Sequence, residues 1–272
     1  MQEQIDHAIE TIGSVLYGKE RQIRQALTCL FAHGHLLIED LPGMGKTTLA
    51  HALAQVLGLE YQRVQFTSDM LPADLLGVSV FDAASSDFRF HQGPVFTQLL
   101  LADEINRTTP KTQSALLEAM EEHQVTLEGA TYPLPDPFFV IATQNPLSQY
   151  GTFPLPESQL DRFLMRISLG YPDPSVERKL LKGFNPRQGM DQLPAAIDGD
   201  GLAVLQDNVT RVFVSDALLD YIQRILAFTR QSNRFNFSSS ASLRRHSRRH
   251  PIFTDVRKLR WIRPLPPISR SR

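Results

Sequence analysis

The stretch Leu41-Pro42-Gly43-Met44-Gly45-Lys46-Thr47 constrains this chain more than any other. It follows a short apolar run, Leu36-Leu37-Ile38, that reads as a buried strand, and it opens a segment with helical spacing that runs to about Val56. Strand, glycine turn and helix in that order aim backbone N–H groups and the positive end of the helix dipole at one spot, which suits phosphate. From the start of such a helix Lys46 reaches toward β- and γ-phosphates, and the Thr47 hydroxyl ligates Mg²⁺. Asp40 stands where the general pattern has its first glycine, while the turn itself lies at Gly43 to Gly45. The competing reading is a glycine turn ahead of a surface helix.

Strands and helices alternate around this motif. Runs at residues 61–66, 99–102, 138–143 and 163–169 predict further strands, and residues 5–16, 22–31 and 111–121 predict helices. Two hairpins are expected, one over 78–91 with a polar turn at 83–87, the other over 124–134 around Glu128-Gly129. The central strands are continuously apolar rather than alternating, so the expected fold is α/β, a parallel sheet covered on both faces. After Tyr171-Pro172-Asp173-Pro174 the strand signals stop. Residues 175–182, 202–209 and 216–230 predict helices, which makes a second, all-helical part.

Asp103-Glu104 follows the apolar run Leu99-Leu100-Leu101-Ala102. Acids directly after such a strand sit at the carboxyl edge of a parallel sheet, where ligands bind. Asp103 suits Mg²⁺ held through water, and Glu104 suits polarisation of an attacking water. Asn145, in Thr143-Gln144-Asn145-Pro146, follows the next strand; its amide fits a water-orienting or γ-phosphate role, and an Asn-Pro turn is the plain alternative. Arg162 precedes the last strand and Arg107 follows the acidic pair. Either could be delivered to a neighbouring subunit's γ-phosphate, and either could be a surface ion pair.

Composition removes other chemistries. With 42% apolar and 21% charged residues the chain is ordinary globular material. Its net charge of −1 gives no overall case for nucleic acid, but the charge is uneven: residues 238–272 hold ten Lys or Arg and one acid, and the rest holds 18 basic and 28 acidic residues. One cysteine, Cys29, allows no internal disulfide and lies on an apolar helix stripe that reads as core, which fits a reduced, cytoplasmic setting. Glu3, Asp6 and Glu10 do not read as a signal peptide, and no apolar run has membrane-spanning length. Eight histidines form no His-Glu-x-x-His and no Cys/His cluster, so a protein metal site is not expected; His33 and His35 flank Gly34 as a turn before a strand. No Gly-x-Ser-x-Gly elbow occurs.

Four blocks in this order resemble the MoxR family of AAA+ ATPases: Glu39-Asp40-Leu41-Pro42-Gly43-Met44-Gly45-Lys46-Thr47, Ala102-Asp103-Glu104-Ile105-Asn106-Arg107, Ala142-Thr143-Gln144-Asn145-Pro146 and Pro156-Glu157-Ser158-Gln159-Leu160-Asp161-Arg162-Phe163. The resemblance covers residues 5–237. It implies an AAA+ sheet flanked by helices over 1–172 and a small helical lid, here partial, over 173–237. It implies that Gly43, Met44, Gly45, Lys46, Thr47 and Thr48 bind ATP as Walker A, and that Asp103 and Glu104 are Walker B. Asn145 would then sense the γ-phosphate and Arg162 would be the arginine finger. Residues 78–91 match the family's insert after the second helix. The resemblance further implies hexamer-like rings with ATP at subunit interfaces, and a chaperone-like role in maturing or activating partner complexes, often beside von Willebrand A-domain proteins.

The chain departs from the family pattern over 238–272, a basic, proline-bearing tail that replaces the expected Ser-Pro-Arg-Ala-like block and its sensor arginine. The tail reads as replaced or out of frame, leaving the lid incomplete. The expected activity is ATP·Mg²⁺ hydrolysis by a chaperone-like motor. The alternatives are an ATP-binding module with little turnover and a nucleic-acid-associated AAA+ protein that uses its tail on phosphates.

Overall fold

A computed structural model of the chain describes residues 2–145, 151–172, 174–182 and 190–231. In chain order the elements are α1 (Gln2–Gly13), α2 (Glu20–Phe31), β1 (His35–Glu39), α3 (Lys46–Val56), β2 (Tyr61–Gln65), α4 (Pro72–Leu76), β3 (Gly77–Asp82), β4 (Asp87–Gln92) and β5 (Leu99–Asp103). They continue with a 3₁₀ turn (Ile105–Arg107), α5 (Pro110–Glu122), β6 (Gln124–Leu127), β7 (Ala130–Pro133), β8 (Phe139–Gln144), α6 (Glu157–Leu160), β9 (Phe163–Ile167), α7 (Pro174–Leu181), a second 3₁₀ turn (Met190–Gln192), α8 (Gly199–Thr210) and α9 (Asp216–Gln231).

Five strands form one parallel sheet in the order β2-β5-β8-β1-β9. The continuous apolar runs have a direct cause: successive side chains point to opposite faces, and both faces are covered. Leu36, Ile38, Leu99, Leu101 and Ile141 pack on one side with α1, α2 and α3. Leu37, Leu100, Ala102, Val140 and Ala142 pack on the other with α4 and α5. Each buried leucine or isoleucine stabilises by about 1.5–3 kcal/mol. Cys29 is buried in the first cluster, and its thiol meets the His35 carbonyl at 3.3 Å.

Local chemistry sets the element ends. Thr109 caps α5, accepting from the Thr112 N–H with Pro110 in the first turn, and His123 closes the helix in the left-handed region. Glu128 and Gly129 both have positive φ, as the two-residue turn of the β6–β7 hairpin requires. The β3–β4 hairpin is pinched at its base. A Cβ on Gly77 would meet the His91 carbonyl oxygen at 2.3 Å, and one on Gly93 would meet the Leu75 oxygen at 2.2 Å. Farther out on this hairpin the exposed Phe81 and Phe88 meet edge to face at 5.5 Å. Where periodicity predicts a first helix over 5–16, α1 spans Gln2–Gly13. Val15 and Leu16 are buried all the same, as turn residues before Gly18.

The chain divides into two compact units with the break between Leu205 and Gln206. In the first unit, the segment after α7 is tied to the core: the Ala196 and Ile197 N–H groups both donate to the Val56 carbonyl, and Ile197, Leu202 and Leu205 join the first hydrophobic cluster. The described part of the second unit is helical, with the end of α8 and an α9 that buries Leu226. The basic tail, residues 238–272, lies outside the described residues. Among those described, no helix is long and apolar enough to cross a membrane.

Candidate functional site

All five strands are parallel, so their carboxyl ends share one edge, and the singled-out polar residues gather there. The loop after β1 turns through Gly43 (φ 84°) and Gly45 (φ 92°), a region that disfavours a side chain. Gly45 caps α3 without any side-chain bond. The first intrahelical bond runs from the Leu49 N–H to the Gly45 carbonyl, so the amides ahead of Leu49 face outward as unpaired first-turn donors. Nothing lies within 4 Å of where a Cβ on Gly43 would stand. This is an open cradle of donors at a helix N-terminus, and its chemistry fits a phosphate.

Lys46 is buried at the centre of the edge. Its Nζ donates to the Asp40 carbonyl (2.6 Å), the Leu41 carbonyl (3.3 Å) and the Asn145 Oδ1 (3.2 Å). Burial pushes its ammonium below the usual lysine range, opposed by the charges of Asp103, Asp40 and Glu104. Asn145 bridges the lysine to an acid, since its Nδ2 donates to Glu104 Oε1 at 3.0 Å. The Asn145 carbonyl in turn accepts from Asn106 Nδ2.

Asp103 ends β5 and is buried. Thr143 donates to its Oδ1 at 2.6 Å, and Arg63 donates to its Oδ2 through Nε (3.2 Å) and Nη2 (2.7 Å). A cation thus already stands at the outer carboxylate oxygen. With the Thr47 hydroxyl on the first turn of α3, Asp103 supplies the hard oxygen donors that suit Mg²⁺, a metal usually held by one or two protein ligands plus phosphate and water. Glu104 adopts φ 57° and ψ 47°, a left-handed conformation uncommon for a residue with a side chain. Its N–H donates to Thr143 Oγ1, and its carboxylate accepts from Asn145, Gln65 (3.0 Å) and Arg107 (2.9 Å).

These groups surround a cleft of about 470 Å³ whose lining includes residues 42–48, Asp103, Glu104 and Asn145. Val15, Leu16, Tyr17 and Lys19 also line it, with Pro172 and Val176. Leu16 touches the loop itself, where a Cβ on Gly45 would come within 2.9 Å of its Cδ1. Arg162 is not among the lining residues. It pairs with Glu121 of α5 at 2.7 Å and is about one-third exposed (32%), while Arg107 pairs with Glu104 of its own chain. Sequence reasoning missed Arg63, Gln65 and Thr143, because only the sheet order brings β2 and β8 to either side of β5. It also missed Val15 and Leu16, whose apolar character reads as helix core, and Tyr17, which reads as the break after that helix.

Residues 35–165 match the family model described as the ATPase family associated with various cellular activities (AAA). The chain is 46% identical over 224 residues to the uncharacterised Bacillus subtilis protein YeaC, an overlap of 82% of this chain and 70% of that one. It is 39% identical over 240 residues to Chaperone MoxR1 of Mycobacterium tuberculosis, covering 88% of this chain and 63% of MoxR1, so it spans just under two thirds of that relative's length. Protein MoxR of Methylorubrum extorquens is 36% identical over 65% of this chain. A crystal structure from Cytophaga hutchinsonii, of a protein provisionally named an ATPase, superposes with a TM-score of 0.75 at 38% identity, over 84% of this chain and 69% of that one. Sheet, loop, acids and relatives agree: this chain belongs to the MoxR family of AAA+ ATPases.

Proposed function

We propose that the cleft binds ATP with Mg²⁺ and hydrolyses it, and that the chain works as a chaperone-like motor on partner proteins. One observation carries the reading: a buried lysine, two adjacent acids and an asparagine from three separate segments are hydrogen-bonded into one cluster at a helix N-terminus. The amides of residues 43–48 and the Lys46 ammonium hold the phosphates. Val15, Leu16 and Tyr17 give the base an apolar wall. Thr47 and Asp103 would hold Mg²⁺, which when bound neutralises phosphate charge. Glu104 takes the proton of the attacking water, and Asn145 keeps that carboxylate aligned by its hydrogen bond. Arg162, given by a neighbour in a ring, would stabilise charge on the γ-phosphate after leaving Glu121. The name of one relative, Chaperone MoxR1, supports a chaperone-like role; work on partner complexes, including von Willebrand A-domain proteins, follows from the family resemblance.

Turnover measured against protein concentration tests the reading. Activity should rise more steeply than linearly, as a site completed by a neighbour requires. Glu104→Gln should lower kcat by about 10²-fold or more while ATP still binds, and Lys46→Ala should abolish binding. A parent chain that binds ATP without turnover would reduce the reading to a binding module, and one that binds no ATP would end it.

A further inference from the structure

Asp40 replaces the glycine that opens the general phosphate-loop pattern, and each of its polar atoms is engaged. Its N–H donates to the Gln144 carbonyl, and its own carbonyl accepts from Lys46 Nζ. Oδ1 accepts from the Leu41 N–H at 2.9 Å. Oδ2 accepts from the Ser168 hydroxyl at 3.0 Å and the Gly170 N–H at 2.6 Å. The last two partners are 128 and 130 residues away in sequence, on the turn by which the chain leaves the edge strand β9. Pairing between β1 and β9 stops at Ile38 and Ile167. Beyond that register the Asp40 carboxylate takes over the bonding that the ladder no longer supplies.

The turn is gripped from its other side as well. Gly170, at φ 67°, gives its N–H to Asp40 and its carbonyl to Lys19, whose Nζ also meets the Tyr171 carbonyl at 2.6 Å. Gln22 holds the Leu169 carbonyl. Just downstream, Pro172 and Val176 line the cleft.

We propose that Asp40 is a positioning residue that couples the phosphate-binding loop to the turn at residues 168–171, so that filling the loop is transmitted to the chain leading out of the sheet into α7. The proposal rests on the ATP-binding reading above. Lys46 and the turn are held by one residue, the first through its carbonyl and the second through its carboxylate. Phosphate that draws the Lys46 ammonium away from the Asp40 carbonyl therefore acts on the same residue that grips the turn. A glycine here would keep the loop and lose the link. An asparagine would turn an N–H₂ group toward a donor, either Leu41 N–H or the Ser168 and Gly170 pair, and would keep only part of it.

Amide hydrogen exchange of the full chain, with and without ATP·Mg²⁺, tests this beside a direct binding measurement with a fluorescent ATP analogue. In the parent, nucleotide should slow exchange over 166–172. Asp40→Gly should speed exchange there by about tenfold without nucleotide, as expected from losing hydrogen bonds to a carboxylate, and should abolish the response to nucleotide while the analogue still binds. Asp40→Asn should fall between the two, which keeps the test valid should the glycine variant fold poorly. A parent that binds the analogue with no change over 166–172, or an Asp40→Gly protein that keeps the full response, overturns the coupling. A parent that binds no analogue overturns the ATP-binding reading itself, and the coupling falls with it.

Discussion

At the scale of single residues, the acids of the cleft are already occupied by cations and amides. Arg63 holds the outer oxygen of Asp103 by two bonds and is itself about half exposed (47%). A half-exposed ion pair is screened and contributes little to stability. A divalent cation held at Asp103 would nevertheless compete with it for that carboxylate. Arg63→Ala should therefore lower the Mg²⁺ concentration needed for nucleotide binding by about fivefold, the low end of the usual scale of coupling between sites. A Mg²⁺ titration of ATP-analogue binding reads this directly, and a raised requirement would mean that Arg63 helps to hold the nucleotide instead. Spacing alone leaves Arg162 and Arg107 level as candidates for a role in a neighbour, and the family resemblance favours Arg162. In the fold they differ: Arg107 is engaged with Glu104 beside the cleft, and Arg162 is paired with Glu121 away from it.

At the scale of elements, β2 carries both a predictable and an unpredictable part. That a strand forms here was legible from the alternation over 61–66, and β2 spans Tyr61–Gln65. That this strand borders β5, bringing Arg63 and Gln65 over the acidic pair, was not, because sheet order is decided by long-range packing rather than by local pattern. The same holds for Asp40. Its position in the motif was plain, but its partners at 168 and 170 arise only when β9 docks beside β1. By contrast α3 begins and ends where spacing put it, at Lys46 and Val56, since glycine turn and apolar periodicity are both local signals. β2 also contains Tyr61, stacked on His51 at 5.1 Å, whose buried hydroxyl has no hydrogen-bond partner among the described residues. Burial pushes its phenol up to about 12, with Arg63 pulling the other way and Asp103 adding to the rise. The folded state thus keeps this proton where the unfolded chain, with its value near 10.0, gives it up. The sign follows: stability is whole below pH 10 and declines as pH climbs toward 12. Tyr61→Phe should flatten that alkaline decline and, by removing an unsatisfied hydroxyl, leave the protein as stable or up to about 1 kcal/mol more stable at neutral pH. Chemical denaturation at neutral and alkaline pH would expose the opposite result, a destabilised variant with an unchanged alkaline slope.

At the scale of the whole molecule, stability and chemistry lie in different places. Both hydrophobic clusters fill the faces of the sheet, while the cleft groups sit at its carboxyl edge. Leu101→Ala, at the centre of the first cluster, should cost about 2–5 kcal/mol. Lys46→Ala should cost far less and should instead erase protection by ligand. A ligand at roughly 100 times its Kd stabilises a folded chain by about 2.7 kcal/mol, and on the proposed reading calorimetry with ATP·Mg²⁺ should find that gain in the parent and not in Lys46→Ala. The β3–β4 hairpin shows a different consequence of this division. Its base is locked by Gly77 and Gly93, where backbone atoms leave no room even for a methyl group, while residues 83–87 at its tip are exposed. A dye, spin label or affinity handle attached at that tip would ride on a stiff mast that shares no side chain with the cleft, giving a reporter whose orientation follows the body of the protein.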